Sequence, residues 1–215
     1  MTISISCVFF HTVIIFDNLV EFLLVDAKEQ GLFSPVIEGE QYYIIGKVPN
    51  VLHSEEAFGY SFEKMVLYAQ SLGLGTTWMA GTLDRALFEK AAALHDDEIM
   101  YCVSPIGYAA AEMSEKEQKM RAGIHADERK MEAELFLADS FATPLVETDA
   151  KIKEALTAVQ LAPSAVNYQP WRIVKAGNAF HFYGYGVKLK FRMTPGSNKI
   201  IFRLNAYFAQ KKAVT

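Results

Sequence analysis

Residues 161–174 read LAPSAVNYQPWRIV, and this stretch decides how the rest of the chain is interpreted. The apolar periodicity before it predicts a helix that reaches Leu161, and the run WRIV after it predicts a strand. Pro163 and Pro170 stiffen the loop between them, because proline restricts both its own φ and the conformation of the preceding residue. The sequence therefore predicts a stiff, polar loop that joins a helix to a strand.

The polar side chains of this loop suit a heterocyclic ligand. Asn167 and Gln169 each carry an amide with donors and an acceptor, which matches the pyrimidine edge of a flavin, where carbonyls and ring NH groups alternate. Ser164 offers a hydroxyl to a ribityl group or a phosphate. The alternative is that Ser164 and Asn167 cap backbone groups of their own loop. The loop residues by themselves leave both interpretations open.

Patterns elsewhere predict further helices and strands. The predicted elements are a strand-like opening at 1–16, a short helix over 17–31, a buried strand at 41–48, an amphipathic helix from Ser54 to Leu72, a glycine-rich loop at 73–81, a helix from Thr82 or Asp84 to Leu94, a strand at 99–108, a charged helix-prone stretch at 114–136, a helix from Thr148 or Asp149 to Leu161, and two strands, WRIV and AFHFY, joined by a tight turn at Gly177-Asn178. This pattern favours a mixed α+β fold over a helical bundle or a regular βαβ repeat.

Composition restricts the class of protein. The 215 residues are 51% apolar, which supplies a core for one domain or for two closely packed halves. The two cysteines, Cys7 and Cys102, lie far apart, so we expect a cytoplasmic protein without a disulfide framework, with Cys102 as a buried, inert thiol. The opening lacks a signal peptide's basic region and cleavage site and is too short to span a membrane, so we expect no membrane partner.

The formal net charge of −4 is unevenly distributed. Residues 1–154 contain 12 bases and 25 acids, whereas residues 155–215 contain nine bases and no acid. Such a split could attract an anionic ligand to the C-terminal part, or could dock one part of the chain on the other. The basic residues form no nucleic-acid-binding motif, and we expect no nucleic-acid partner.

Sequence signatures of several enzyme classes are missing. The chain has no phosphate-loop, dinucleotide-binding, zinc-protease or serine-hydrolase motif. Its five histidines are scattered along the chain, and neither cysteine has a metal-ligand companion nearby, so the sequence predicts no metal site.

Three segments resemble motifs of the nitroreductase superfamily. APSAVNYQPWRIV (162–174) is similar to its flavin-binding segment, SLGLGTTWMAG (71–81) to its Leu-Gly-Leu-Gly segment, and VSPIGYAA (103–110) to its Pro-Ile-Gly-Tyr strand. The resemblance covers about residues 40–183. The Leu-Gly-Leu-Gly segment comes first, as in single-chain members, where two half-domains mimic the dimer of ordinary nitroreductases.

The resemblance implies a nitroreductase-like α+β fold, a mixed sheet flanked by helices, with residues 1–145 and 146–215 as two related half-domains. A faint repeat agrees with this, since a long helix followed by a tryptophan-bearing polar loop occurs at 54–81 and at 149–171. The residues that the resemblance places at an FMN cofactor are Pro163, Ser164, Ala165, Asn167 and Gln169 from one half, Met79, Ala80 and Gly81 from the other, mostly through backbone NH groups, and Arg129 near the phosphate. From periodicity alone, Arg129 is a solvated charge.

The implied activity is transfer of electrons from NAD(P)H, through FMN, to a nitroaromatic, a quinone or a similar small-molecule acceptor, by a monomer or a homodimer. FMN carries this chemistry, so no side chain is assigned as a catalytic acid, base or nucleophile.

Two departures from the family favour an alternative, a truncated, non-catalytic remnant with a weak flavin or nucleotide pocket. The family's opening Arg-Arg-Ser-x-Arg motif is unmatched, since Arg85 is the first arginine, and the tail after Tyr183 is unlike the family's closing segment. We therefore expect a fold that is incomplete at both ends, through a shifted reading frame or a mispredicted start.

Overall fold

The computed structural model describes residues 18–184, which form two compact units, residues 18–122 and 123–184. The strand predicted at 1–16 and the tail after residue 184 lie outside the described residues. That residues 1–145 and 146–215 are related halves stays a prediction. No helix within 18–184 is both long and apolar enough to cross a membrane.

The first unit is built on a five-stranded antiparallel sheet. Its strands are Glu21–Asp26 (β1), Tyr42–Pro49 (β2), Gly75–Thr76 (β3), Glu98–Ile99 (β4) and Val103–Gly107 (β5), and the helices along it are Ala27–Gln30 (α1), Ser54–Ser71 (α2), Arg85–Ala91 (α3) and Glu115–Gly123 (α4). Strand β2 pairs with β1, β4 and β5, while β3 pairs with β5. Six consecutive β2 residues, 43–48, are buried, so this strand forms the centre of the unit.

The prediction of a helix over 17–31 is wrong for most of its length. Residues Glu21–Asp26 form strand β1, because pairing with β2 along all six residues outweighs the local helical pattern. Only the single turn α1 is helical. The Asp26 carboxylate caps its amino end, and Gly31 ends it in the left-handed region, with φ +64°, as the sequence indicated.

The strand predicted at 99–108 is interrupted. Its two pieces, β4 and β5, both pair with β2, with Ile99 opposite Val48 and Val103 opposite Ile45. From Ile99 to Val103 the chain advances four residues, whereas the paired segment of β2 advances only three. The extra residue interrupts the ladder as a bulge does. Cys102 lies in this interruption and is 4% exposed. Burial raises the pKa of its thiol, which agrees with the expectation of an inert cysteine.

The second unit contains a three-stranded sheet. Its strands are Phe136–Ala138 (β6), Trp171–Ala176 (β7) and Ala179–Gly184 (β8), and its helices are Glu132–Leu135 (α5) and Ala150–Leu161 (α6). Strands β7 and β8 form the predicted hairpin around Gly177-Asn178, and β6 lies parallel to β7, with α6 between them in the chain. At the start of β7, Trp171 is completely buried, and its indole NH has no partner among residues 18–184.

Most of the other predicted elements are confirmed. Strand β2 and helix α2 match their predictions within two residues, and the Asp149 carboxylate caps α6 by accepting the amides of residues 151 and 152. The stretch 114–136 divides into α4 and α5, which are separated by an irregular segment. The fold is thus α+β, as predicted.

Gly46 tests the packing of α2 on the sheet. A Cβ atom added there would lie 2.7 Å from the Phe58 ring, which is completely buried. We expect Gly46→Ala to lower the free energy of unfolding by about 1–3 kcal/mol, because the buried ring must shift to accommodate the added atom. Gly107→Ala is the control, since no atom lies within 4 Å of its added Cβ. Equal urea midpoints for the two variants would contradict this account of the packing.

An ion cluster around the buried Lys47 tests the pairing of β2 with β1 and β4. The Lys47 ammonium lies 3.5 Å from Glu21 and 3.2 Å from Glu98. Burial alone would raise the pKa of Glu98, but hydrogen bonds from the His95 amide and from Lys47, together with the charge of Lys47, outweigh burial and lower it. The native state therefore binds this proton less tightly than the unfolded state does.

Stability from this cluster is present above the ordinary glutamate pKa of 4.5 and is lost as the pH falls through the lower native value. We expect Glu98→Gln to reduce the acid dependence of the free energy of unfolding, measured by urea denaturation from neutral to acid pH. If the free energy of unfolding of the variant falls with acid as steeply as that of wild type, the Lys47 cluster does not cause this pH dependence.

Candidate functional site

The loop that follows α6 is tightly wound. The Ser164 hydroxyl accepts the Gln169 amide NH at 2.9 Å, and the Ser164 carbonyl accepts the Asn167 amide NH at 3.0 Å. Three residues of the loop have positive φ, namely Val166 (+46°), Asn167 (+53°) and Gln169 (+49°). For a β-branched residue such as Val166 this conformation is a genuine outlier, and each such position costs about 1–3 kcal/mol. Surrounding contacts must hold the loop in place.

Asn167 supplies several of these contacts. Its side-chain amide donates to the carbonyls of His125 and Glu128, and its carbonyl oxygen accepts from Arg129 at 3.4 Å and from Gln169 at 3.2 Å. Both donor hydrogens and both acceptor positions are thus engaged. The partners belong mainly to the irregular segment between α4 and α5.

Gln169 makes the second set of contacts to that segment. Its carbonyl oxygen accepts the Lys130 amide NH at 2.8 Å, and its NH₂ group lies 3.3 Å from the Glu128 carbonyl. The residue is 3% exposed. We call the hydrogen bonds of Asn167 and Gln169 to residues 125–130 the amide clasp. Removing Gln169 would leave the partly buried Lys130 NH unpaired, at a cost of about 1–3 kcal/mol, whereas the bonds of Asn167 to the His125 and Glu128 carbonyls are exposed and can be replaced by water.

Arg129 lies within the clasped segment. Its guanidinium donates to the carbonyls of Ala126 (2.9 Å), Glu128 (2.8 Å) and Leu161 (3.4 Å). Its Nε atom is buried without a hydrogen-bond partner among the described residues, and none of their carboxylates forms an ion pair with it. The positive charge of Arg129 is therefore surrounded by carbonyl dipoles and not neutralised, which is suited to an anionic ligand such as a phosphate.

The first unit contains the other predicted segment, residues 79–81. Met79 is 3% exposed, and its NH and carbonyl both pair with Val103, each at 2.9 Å. Its amide is therefore engaged within the sheet. The amides of Ala80 and Gly81 donate to no group in residues 18–184, and Gly81 is exposed. These two NH groups are the ones in the segment that can donate to a ligand.

Trp78 anchors this segment. Its indole NH donates to the Glu63 carboxylate at 3.1 Å, and its ring packs against Phe62 with centroids 4.5 Å apart. Burial raises the pKa of Glu63, and the hydrogen bond from Trp78 opposes the rise only in part. Trp78 thus fixes the direction in which the chain enters residues 79–81.

The structure brings together four predicted site residues, Ser164, Asn167, Gln169 and Arg129, in the second unit. Of the remaining predicted residues of that unit, Pro163 is exposed and Ala165 is half-buried. Sequence reasoning missed the carbonyl and amide groups of residues 125–130. No side-chain signal could have revealed them, because every residue carries the same main-chain groups.

Comparison with known proteins identifies the family of this chain. The family model described as "Putative TM nitroreductase" matches residues 18–200, which extends beyond both ends of the region recognised from motifs. A solved "putative nitroreductase" from Thermotoga maritima aligns at 20% identity with a TM-score of 0.50, over 80% of this chain and 60% of that protein. The chain thus spans less than two thirds of that protein's length, and the similarity concerns the fold.

Two further solved structures are more distant. A "putative NADH dehydrogenase/NAD(P)H nitroreductase" from Bacteroides thetaiotaomicron is 21% identical, with a TM-score of 0.36, over 45% of this chain and 65% of that one. A nitroreductase family protein from Clostridium difficile is 12% identical, with a TM-score of 0.38, over 48% of this chain and 67% of that one. No functionally curated protein matches the chain significantly.

The Trp78 anchor is tested with Glu63. Because the native pKa of Glu63 lies above its ordinary value of 4.5, the native protein loses stability as the pH rises through that native value. We expect Glu63→Gln, which keeps an acceptor for Trp78 without the charge, to raise the free energy of unfolding at pH 7 relative to wild type. Below pH 4.5 the difference should disappear.

Glu63→Leu is the matched control. Like the Gln variant it lacks the charge, but it also removes the acceptor, so it should be about 1 kcal/mol less stable than the Gln variant at both pH values, because the indole NH is left unpaired. Urea denaturation followed by circular dichroism measures all three proteins. A Gln variant that is less stable than wild type at pH 7 would contradict the raised pKa.

Proposed function

Because the chain belongs to the "Putative TM nitroreductase" family of the nitroreductase superfamily, we propose that it is an FMN-dependent oxidoreductase. Its proposed reaction passes electrons from NAD(P)H to a nitroaromatic, a quinone or a similar small acceptor. The observation that carries this proposal is the family match over residues 18–200, which makes an oxidoreductase the expected class. The cofactor, the reductant and the acceptor are parts of this proposal.

Each unit contains one group of described residues with a feature that suits part of a flavin nucleotide. The buried Nε atom of Arg129 lacks a partner, and its guanidinium has no carboxylate counterion among residues 18–184, which suits a phosphate. The unpaired amides of Ala80 and Gly81 suit the electron-rich atoms of the ring system. Of the residues that we propose for the FMN site, Pro163, Ser164, Ala165 and Arg129 lie in the second unit, Met79, Ala80 and Gly81 lie in the first, and Asn167 and Gln169 are proposed to support the second-unit group.

The chain and the cofactor have separate tasks in this proposal. When bound, FMN supplies the redox chemistry, accepting hydride from NAD(P)H and donating electrons to the acceptor. The chain binds and orients it: Ala80 and Gly81 donate hydrogen bonds, and Arg129 contributes positive charge. No side chain is proposed to exchange a proton with the substrate.

A second candidate is the non-catalytic remnant with a weak flavin or nucleotide pocket. The observation that favours it is the amide clasp, since the side chains of Asn167 and Gln169 are already satisfied by residues 125–130.

Flavin titration separates the two candidates. We expect purified protein to shift the visible spectrum of FMN and then to bleach on anaerobic addition of NADH or NADPH. Binding without bleaching would support the remnant. A protein that leaves the FMN spectrum unchanged at near-millimolar flavin would contradict both.

Arg129 is tested by substitution. We expect Arg129→Gln to weaken FMN binding about tenfold to a hundredfold, because a charge-assisted hydrogen bond contributes about 1.5–3 kcal/mol. Lys153→Gln, at an exposed position of α6, is the control for loss of one positive charge in the same unit. Equal affinities for the two variants would exclude Arg129 as the phosphate-binding residue.

A further inference from the structure

The side-chain amides of Asn167 and Gln169 have no group left for a ligand. Asn167 donates to two carbonyls and accepts from two donors, and Gln169 is buried with its oxygen on the Lys130 amide. Reading the edge of a flavin would require these bonds to break, and the partly buried Lys130 NH would lose its acceptor. Such direct contact is therefore unfavourable.

The amide clasp instead holds Arg129. This residue lies between Glu128, whose carbonyl accepts from both amides, and Lys130, whose NH donates to Gln169. From α6, Gln160 also donates to the Lys130 carbonyl at 2.9 Å. The main chain is thus fixed on both sides of Arg129.

The clasp also touches the Arg129 side chain. The carbonyl oxygen of Asn167 lies 3.4 Å from a guanidinium nitrogen, and the Leu161 carbonyl lies at the same distance from the other terminal nitrogen. The direction of the guanidinium therefore depends on the loop that bears Asn167.

We propose that Asn167 and Gln169 are positioning residues, which fix residues 125–130 and thereby orient the Arg129 guanidinium toward the phosphate of a flavin nucleotide. The inference rests on the proposed function. It assigns the two amides an indirect role. Their removal is expected to weaken the binding of the phosphate and to leave the binding of the ring edge unchanged.

Backbone geometry agrees with this role. Asn167 and Gln169 both have positive φ, and on the other side of the clasp His125 does as well, at +51°. Left-handed conformations of non-glycine residues persist where surrounding contacts determine them, and they concentrate at functional sites. Here the hydrogen bonds of the clasp are those contacts.

Riboflavin, which has the ring and ribityl chain of FMN but no phosphate, separates the two roles. Wild type, Asn167→Ala and Gln169→Ala are titrated with FMN and with riboflavin. We expect each variant to lose about tenfold or more in FMN affinity and less than twofold in riboflavin affinity, since the ring contacts are unchanged. Thr157→Ala, an exposed change on α6, is the control and should alter neither affinity.

Equal losses of FMN and riboflavin affinity would mean that the amides contact the ring, and would overturn the inference. Unchanged FMN affinity would also overturn it. If wild type binds neither flavin, the proposed function fails and the inference fails with it. If wild type binds FMN and the variants bind it equally well, only the inference fails. Should Asn167→Ala not fold, Gln160→Ala loosens Lys130 from the other side and should show the same selective loss of FMN affinity.

Amide hydrogen exchange tests the clasp without any ligand. The Lys130 NH should be protected in the apoprotein, and Gln169→Ala should abolish that protection, whereas Thr157→Ala should not. Fast exchange of Lys130 in wild type would show that the clasp does not exist in solution.

Discussion

Main-chain polar groups outside helices and strands need other hydrogen-bond partners, and in the second unit this requirement joins two irregular segments. Residues 125–130 form neither helix nor strand, so their carbonyls and amides are not satisfied by regular structure. Asn167 and Gln169 satisfy them from the loop before β7. The same bonds hold three left-handed residues in place and fix the surroundings of Arg129. One requirement thus links the motif that resembles a flavin-binding segment to the residue best suited to an anion.

The first unit depends on close packing instead. Strand β2 is buried along six residues, and Gly46 provides the space that Phe58 of α2 occupies. Helix α2 also carries Glu63, which receives the indole NH of Trp78. The position of residues 79–81 therefore follows from how closely α2 lies on the sheet. Met79 pairs with Val103 in the ladder, whereas the amides of Ala80 and Gly81 have no partner among the described residues and can donate to a ligand.

The sequence predicted the elements whose signals are local. Helices α2 and α6 have apolar periodicity, α6 also has the capping residue Asp149, and the β7–β8 hairpin has a glycine-containing turn. The strand β1 was missed because FLLV fits a helix or a strand equally, and only its pairing with β2, some twenty residues away, decides between them. The site residues were found through motif resemblance. Their contacts could not be predicted, because the partners of Asn167 and Gln169 are main-chain groups that no sequence pattern identifies.

The chain contains two tryptophans, and each compact unit has one of them. Their environments differ: the Trp78 indole is hydrogen-bonded to a carboxylate, whereas the Trp171 indole is completely buried and unpaired among the described residues. Each unit therefore carries its own intrinsic fluorophore. Emission from variants that retain only one tryptophan would report the unfolding of one unit at a time, so that the cooperativity between the two units becomes directly observable.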